Sequence, residues 1–193
     1  MKFIRRNDIR AAVLVAVAML SLSCTNEFVD STSPVLLVLS NTQQIDTIDL
    51  LPGAGGCDTS IGTVRIQAIL KNPSNVDQRF NDVRIDRYRV SYRRTDGGTL
   101  VPASFVLSQD LLIAAGGAAS NLGTFRVFQR EAINQAPFAA LLPQNGGRDP
   151  ETGRRTVSMD VVLEVFGETI AGSNVSGSTR FPLTFCYDCG GCG

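Results

Sequence analysis

Residues 82–98 read DVRIDRYRVSYRRTDGG. Val83 and Ile85 fall on one parity, and Tyr88, Val90 and Tyr92 on the other. Alternation of apolar and polar residues marks a strand with one buried face, because successive side chains point to opposite sides. A one-residue slip turns every following side chain to the wrong face. The change of parity at Asp86-Arg87 therefore predicts a β-bulge, or two strands separated by a bend. Asp96-Gly97-Gly98 supplies the turn that follows.

The same period extends in both directions. Upstream, VLLVLS begins after Pro34. Val64, Ile66, Ala68 and Leu70 then alternate with Arg65, Gln67 and Ile69, until Asn72-Pro73-Ser74-Asn75 ends the run. Downstream, SFVLSQDLLIAAGG (104–117) gives one or two strands, and SNLGTFRVF (120–128) another. In TVSMDVVLEVFGE (156–168), Val157, Met159, Val161, Leu163 and Val165 share a face. Gly172-Ser173-Asn174 turns the chain into VSGSTRFPLTFC (175–186). Arg130 to Leu142 is the one helical candidate, and Pro137 limits it to a turn or two. Residues 145–152 read as loop. Seven to nine strands, no α/β rhythm and no repeat predict an all-β fold. The expected form is an antiparallel β-sandwich, immunoglobulin-like, with at most one short helix.

The N-terminus sets the compartment. Lys2, Arg5, Arg6 and Arg10 precede an apolar run of 12 residues, Ala11 to Leu22. That is too short to span a bilayer, which takes about 20 residues, and suits a secretory signal. Asn7 and Asp8 after Arg5-Arg6 do not fit a twin-arginine signal. Ser21, Leu22, Ser23 and Cys24 resemble the lipobox of a bacterial lipoprotein signal peptide. The resemblance implies cleavage before Cys24 and a lipid on that cysteine. Thr25, in place of Asp, then implies sorting to the outer membrane. Ordinary secretion and an uncleaved anchor are the alternatives. The expected organisation is a signal at 1–23, a lipidated tether at 24–34, a sandwich at 35–186 and a Cys/Gly-rich tail at 187–193.

A second resemblance rests on VRIQAILKNPSNVDQRFNDVRIDRYRVSYRR (64–94). A strand closing on Asn72-Pro73, followed by a second strand ending in Tyr92, is similar to WHy and late-embryogenesis-abundant type 2 β-sandwiches. The chain also resembles uncharacterised envelope lipoproteins with a C-terminal Cys-x-x-Cys. These resemblances imply a sandwich and bring no active site.

Composition narrows the chemistry. The chain has no His, which removes Ser-His-Asp and Cys-His catalysis and the commonest metal ligand. It has no Trp, the usual sugar-stacking platform. Four of the 18 basic and one of the 18 acidic residues precede Cys24, so the remainder carries a net charge of −3. That balance gives no drive toward nucleic acid.

Two groups of residues remain as candidates. The first is cysteine: Cys57, Cys186, Cys189 and Cys192, beyond the lipidated Cys24. An even number in an exported chain points to disulfides. Cys57 precedes the strand near Gly62, and Cys186 ends the last strand. If those strands are antiparallel neighbours, Cys57 pairs with Cys186 or Cys189. A Cys₄ metal site or a Cys186–Cys189 redox pair are the sharper alternatives. The second group is the row Arg87, Arg89 and Arg93, with Arg94 adjacent. It reads as an anion-binding face, or as a solvated face paired across strands with Asp160 and Glu164. The expected function is a lipid-anchored envelope protein with a structural or binding role, no catalysis and no cofactor. Its partners would be the membrane and an envelope polymer or protein. The alternative is a metal-binding or thiol-redox envelope protein.

Overall fold

The computed structural model describes residues 33–42, 46–51, 60–61, 64–74, 78–123 and 125–190. Ten strands follow in chain order: β1 (Val35–Asn41), β2 (Thr47–Asp49), β3 (Ser60–Ile61), β4 (Val64–Leu70) and β5 (Val83–Arg94) come first. Then come β6 (Phe105–Ile113), β7 (Ser120–Asn121), β8 (Phe125–Arg126), β9 (Thr156–Thr169) and β10 (Asn174–Cys186). The helical candidate is a single α-turn, α1 (Phe138–Leu141), between 3₁₀ turns at Arg130–Asn134 and Pro143–Asn145.

Two sheets form an all-β sandwich. One has the order β1-β4-β7, the other β2-β10-β9-β5-β6, and β3 pairs with β8 alone. Consecutive strands β4 and β5 lie in opposite sheets. The chain thus crosses from one sheet to the other between β4 and β5. Every pairing between strands is antiparallel except β2 with β10, which is parallel.

Among the described residues there are ten strands, two of them short pieces of the 120–128 segment, against the expected seven to nine. Residues 120–128 do not form one strand, because Gly123 adopts φ 84° and breaks the run. β7 then pairs with β4, and β8 pairs with β3. The bulge stands where the parity changes: the β5–β9 register shifts between Ile85 and Arg87. Gly167 faces Ile85 there, and a Cβ on it would overlap the backbone carbonyl of Arg84. Gly177 does the same service where β1 crosses β10, against Leu37 and Leu39.

The core explains the alternation. Val157, Met159, Val161, Leu163 and Val165 are fully buried, and Val83, Ile85, Tyr88 and Val90 line up beside them. The three-stranded sheet is too narrow to cover five strands spaced about 4.8 Å apart. Residues from the 122–142 segment cover the rest. Phe128 and Phe138 pack on Phe185 at 5.8 and 4.7 Å between centroids, and Phe125 packs on Phe181 at 5.3 Å.

Candidate functional site

The arginine row runs along the outer face of β5. Arg89 donates to Glu164 from Nε at 2.8 Å, across the register that sets these residues opposite each other. Arg87 donates to Asp86 at 2.9 Å. The guanidinium groups of Arg87 and Arg89 lie 5.2 and 5.6 Å from the centre of the Phe166 ring. Arg93 sits opposite Asp160. The bulge places Arg84 on the same face, where it bonds Asp110 at 3.1 Å. Arginines and carboxylates thus alternate across the strands, and the row is electrically balanced along most of its length. Its ion pairs are solvent-exposed, the kind that contributes about 0–1 kcal/mol each.

Arg94 does not belong to that row. It has the parity of Tyr88, Val90 and Tyr92 and turns inward. Its side chain is 2% exposed and bonds Asp96 at 2.7 Å and Asp149 at 2.8 Å, with Glu151 at 3.6 Å. Each carboxylate also gathers backbone. Asp96 accepts N–H bonds from Gly98 and Ser158, Asp149 from Thr152, and Glu151 from Thr99 and Leu100. Burial alone would raise the Asp96 pKa. The bonds from Arg94, Ser158 and Gly98 outweigh it and lower it to about 2. Asp149 is lowered by the same balance. Desolvation opposes the charge on Arg94, and its carboxylate partners reverse that and hold it protonated. This clasp fixes the 95–104 and 146–155 loops to one another. The sequence carried one signal for it, the inward parity of Arg94.

The cysteines are arranged differently from the expectation. Cys186 is bonded to Cys189, with Cα atoms 6.0 Å apart. This corrects the pairing of either with Cys57. The premise fails because β4 and β10 lie in different sheets, and the neighbours of β10 are β9 and β2. Asp188 takes φ 53°, which folds the chain back so that Cys189 reaches Cys186. Asp49, 2% exposed at the end of β2, holds this loop. It accepts N–H bonds from Leu51 at 3.0 Å, Asp188 at 2.9 Å and Cys189 at 2.8 Å. Residues 187–190, read as a tail, are therefore docked on the sandwich. Cys24, Cys57 and Cys192 lie outside the described residues.

A groove of about 530 Å³ opens at the other end of the five-stranded sheet, lined by Arg84, Asp86, Gln109, Asp110, Glu168 and Ile170. Among the described residues, no three His, Cys, Asp or Glu side chains converge as a metal-ligand set. No helix of the described residues is long and apolar enough to cross a membrane. Compared with protein families, with curated proteins and with solved structures, the chain matches none.

Proposed function

We propose that this chain is a lipid-anchored cell-envelope protein whose sandwich serves a structural or binding role without catalysis. The observation that carries the reading is the Cys186–Cys189 disulfide closed over Asp49, in a chain that begins with a lipobox-like signal. Disulfides persist in oxidising compartments, where an exported domain resides. The clasped loops suit a binding role, because loops held on a rigid scaffold offer a preorganised surface to an envelope polymer or protein.

A thiol-redox role is the second reading, favoured by one feature: Cys189 is exposed while its partner Cys186 is buried. Against it, Cys186 ends a strand, and the Asp49 carboxylate sits on the loop. Redox pairs are activated by a helix N-terminus or nearby positive charge, which lowers the thiol pKa.

Intact mass of protein purified from the envelope tests both readings, with alkylation before and after reduction and metal analysis of the same sample. The anchored, stapled reading expects an acyl mass on Cys24, thiols that alkylate only after reduction, and no stoichiometric metal. Free thiols with about one metal per chain would replace it with a metal site.

A further inference from the structure

We infer that the end of the sandwich carrying Phe80 and Ile170 rests on the membrane surface, with the clasped loops pointing away from the bilayer; this rests on the lipid-anchor reading. The chain joins the sandwich at this end. Pro34, just before β1, accepts an N–H bond from Lys71, just after β4, at 2.9 Å. Cys24 lies eleven residues before Val35. Fully extended, that length reaches about 40 Å. The tether therefore leaves the sandwich at this end, opposite the end bearing Arg94.

The same end presents large apolar side chains to solvent. Phe80, in the 3₁₀ turn Gln78–Asn81, is 57% exposed, and Ile170, in the β9–β10 turn, is 56% exposed. Two backbone bonds clip these turns together. Ala171 donates to the carbonyl of Phe80 at 3.0 Å, and Ile170 to that of Asp82 at 2.9 Å. The two side chains are thus held out by the fold and need no ordering on contact. Exposed Lys71 and Arg79 flank them. Asp86, Asp110 and Glu168 line the groove beside Ile170, so the apolar tips, not net charge, fit this end to the headgroup layer. A tethered domain meets that layer at high effective concentration, so shallow insertion suffices. The opposite end also exposes apolar side chains, Leu100 at 43% and Val101 at 39%, beside Arg154 and Arg155, so the tether's point of attachment decides between the two ends.

The absence of Trp from the chain makes the test direct. Phe80→Trp and Leu100→Trp each give a single reporter, one at either end. The full acylated chain is reconstituted into vesicles of phosphatidylcholine and phosphatidylglycerol, with or without brominated acyl chains. The Phe80→Trp reporter should shift to the blue and lose most of its emission to the brominated lipid, while the Leu100→Trp reporter keeps its own. Ile170→Trp repeats the first measurement in a second turn. Acylated chain whose Phe80→Trp and Ile170→Trp reporters are unquenched overturns the proposal, as does equal quenching at both ends. If intact mass shows no acyl group on Cys24, the anchor reading fails separately. Quenching by added vesicles then decides the surface alone: its presence keeps the docking face, and its absence removes it.

Discussion

Arg94 and Asp149 are 55 residues apart in sequence and 2.8 Å apart in the fold, with side chains 2% and 0% exposed. A charge so far from water survives only with partners, and here each charge has several. Removing one partner strands the others. Arg94→Leu should therefore cost about 3–5 kcal/mol, since it leaves Asp96 and Asp149 buried without a cation. Arg84→Leu, which breaks the exposed bond to Asp110, should cost at most about 1 kcal/mol. Urea unfolding of both variants measures the contrast. Equal losses would mean that the clasp contributes no more than a surface pair.

The clasp also fixes an acid limb. Asp96 has a folded pKa of about 2 against an ordinary carboxylate value near 4. The unfolded chain takes up that proton first as pH falls. Stability from this group is thus fully present above about pH 4 and is lost on descent to about pH 2. The shift corresponds to about 2 kcal/mol. Asp149 and Glu151 are lowered too and act in the same sense. Thermal melts across this range should show a steep fall in Tm. Asp96→Asn should be less stable at pH 7 and show a shallower acid limb, and a slope identical to the parent chain would rule out Asp96 as its source.

What the residues foretold and what they did not divide along physical lines. The alternation in β5 and β9 is legible because each side chain chooses between core and water, and so the change of parity at Asp86-Arg87 points to a bulge or a bend, of which the structure has the bulge. Partners chosen by topology are not legible. Nothing local tells Asp49 that β2 will run parallel to the end of β10, or tells Cys186 that β4 belongs to the other sheet. Arg94 stands between these cases. Its parity matches that of the buried Tyr88 and Val90 and Asp96 is two residues on, while Asp149 and Glu151 lie in a loop more than 50 residues on.

The bulge needs its glycine. A methyl group at position 167 would meet the Arg84 carbonyl and the Ile85 backbone, which the β5–β9 ladder holds in place. Backbone cannot swing aside as a surface side chain can. Gly167→Ala should cost about 1–3 kcal/mol, the range for overpacking a well-filled site. Gly153→Ala, where the space is open but φ is 71°, reports the backbone penalty alone. Denaturant midpoints of the pair separate the two causes. A Gly167→Ala chain as stable as the parent would mean that the strands spread there without penalty.

Asp49 is the fastening of the C-terminal loop, and its removal should be local in effect. Asp49→Ala deprives three amides of their acceptor, those of Leu51, Asp188 and Cys189. Hydrogen exchange at these amides should quicken by an order of magnitude or more, as expected for loss of about 1.5–3 kcal/mol per bond to a charged acceptor. Amides of β9 between Val157 and Val165 should keep their protection, because they lie in the centre of the sheet. The Cys186–Cys189 bond should become easier to reduce, since the docked loop no longer shields it. Unchanged exchange at Asp188 and Cys189 would assign the docking of 187–190 to the disulfide alone.

The balance of the β5 face makes a different kind of prediction. Were Arg87, Arg89 and Arg93 poised for an anion, removing the carboxylate that occupies Arg89 would free a guanidinium fork for phosphate. If the row is a solvated face, Glu164→Gln exchanges one exposed ion pair for a neutral contact and leaves Arg89 against Phe166. The expected loss is then about 0.5 kcal/mol at low salt, vanishing near 1 M salt, where screening acts within about 3 Å. Titration with inorganic phosphate or a polyphosphate should show no binding to the parent chain. Saturable binding to the parent that is abolished by Arg87→Gln with Arg89→Gln would instead make this face the working surface, because only a ligand that displaces Glu164 could then account for it.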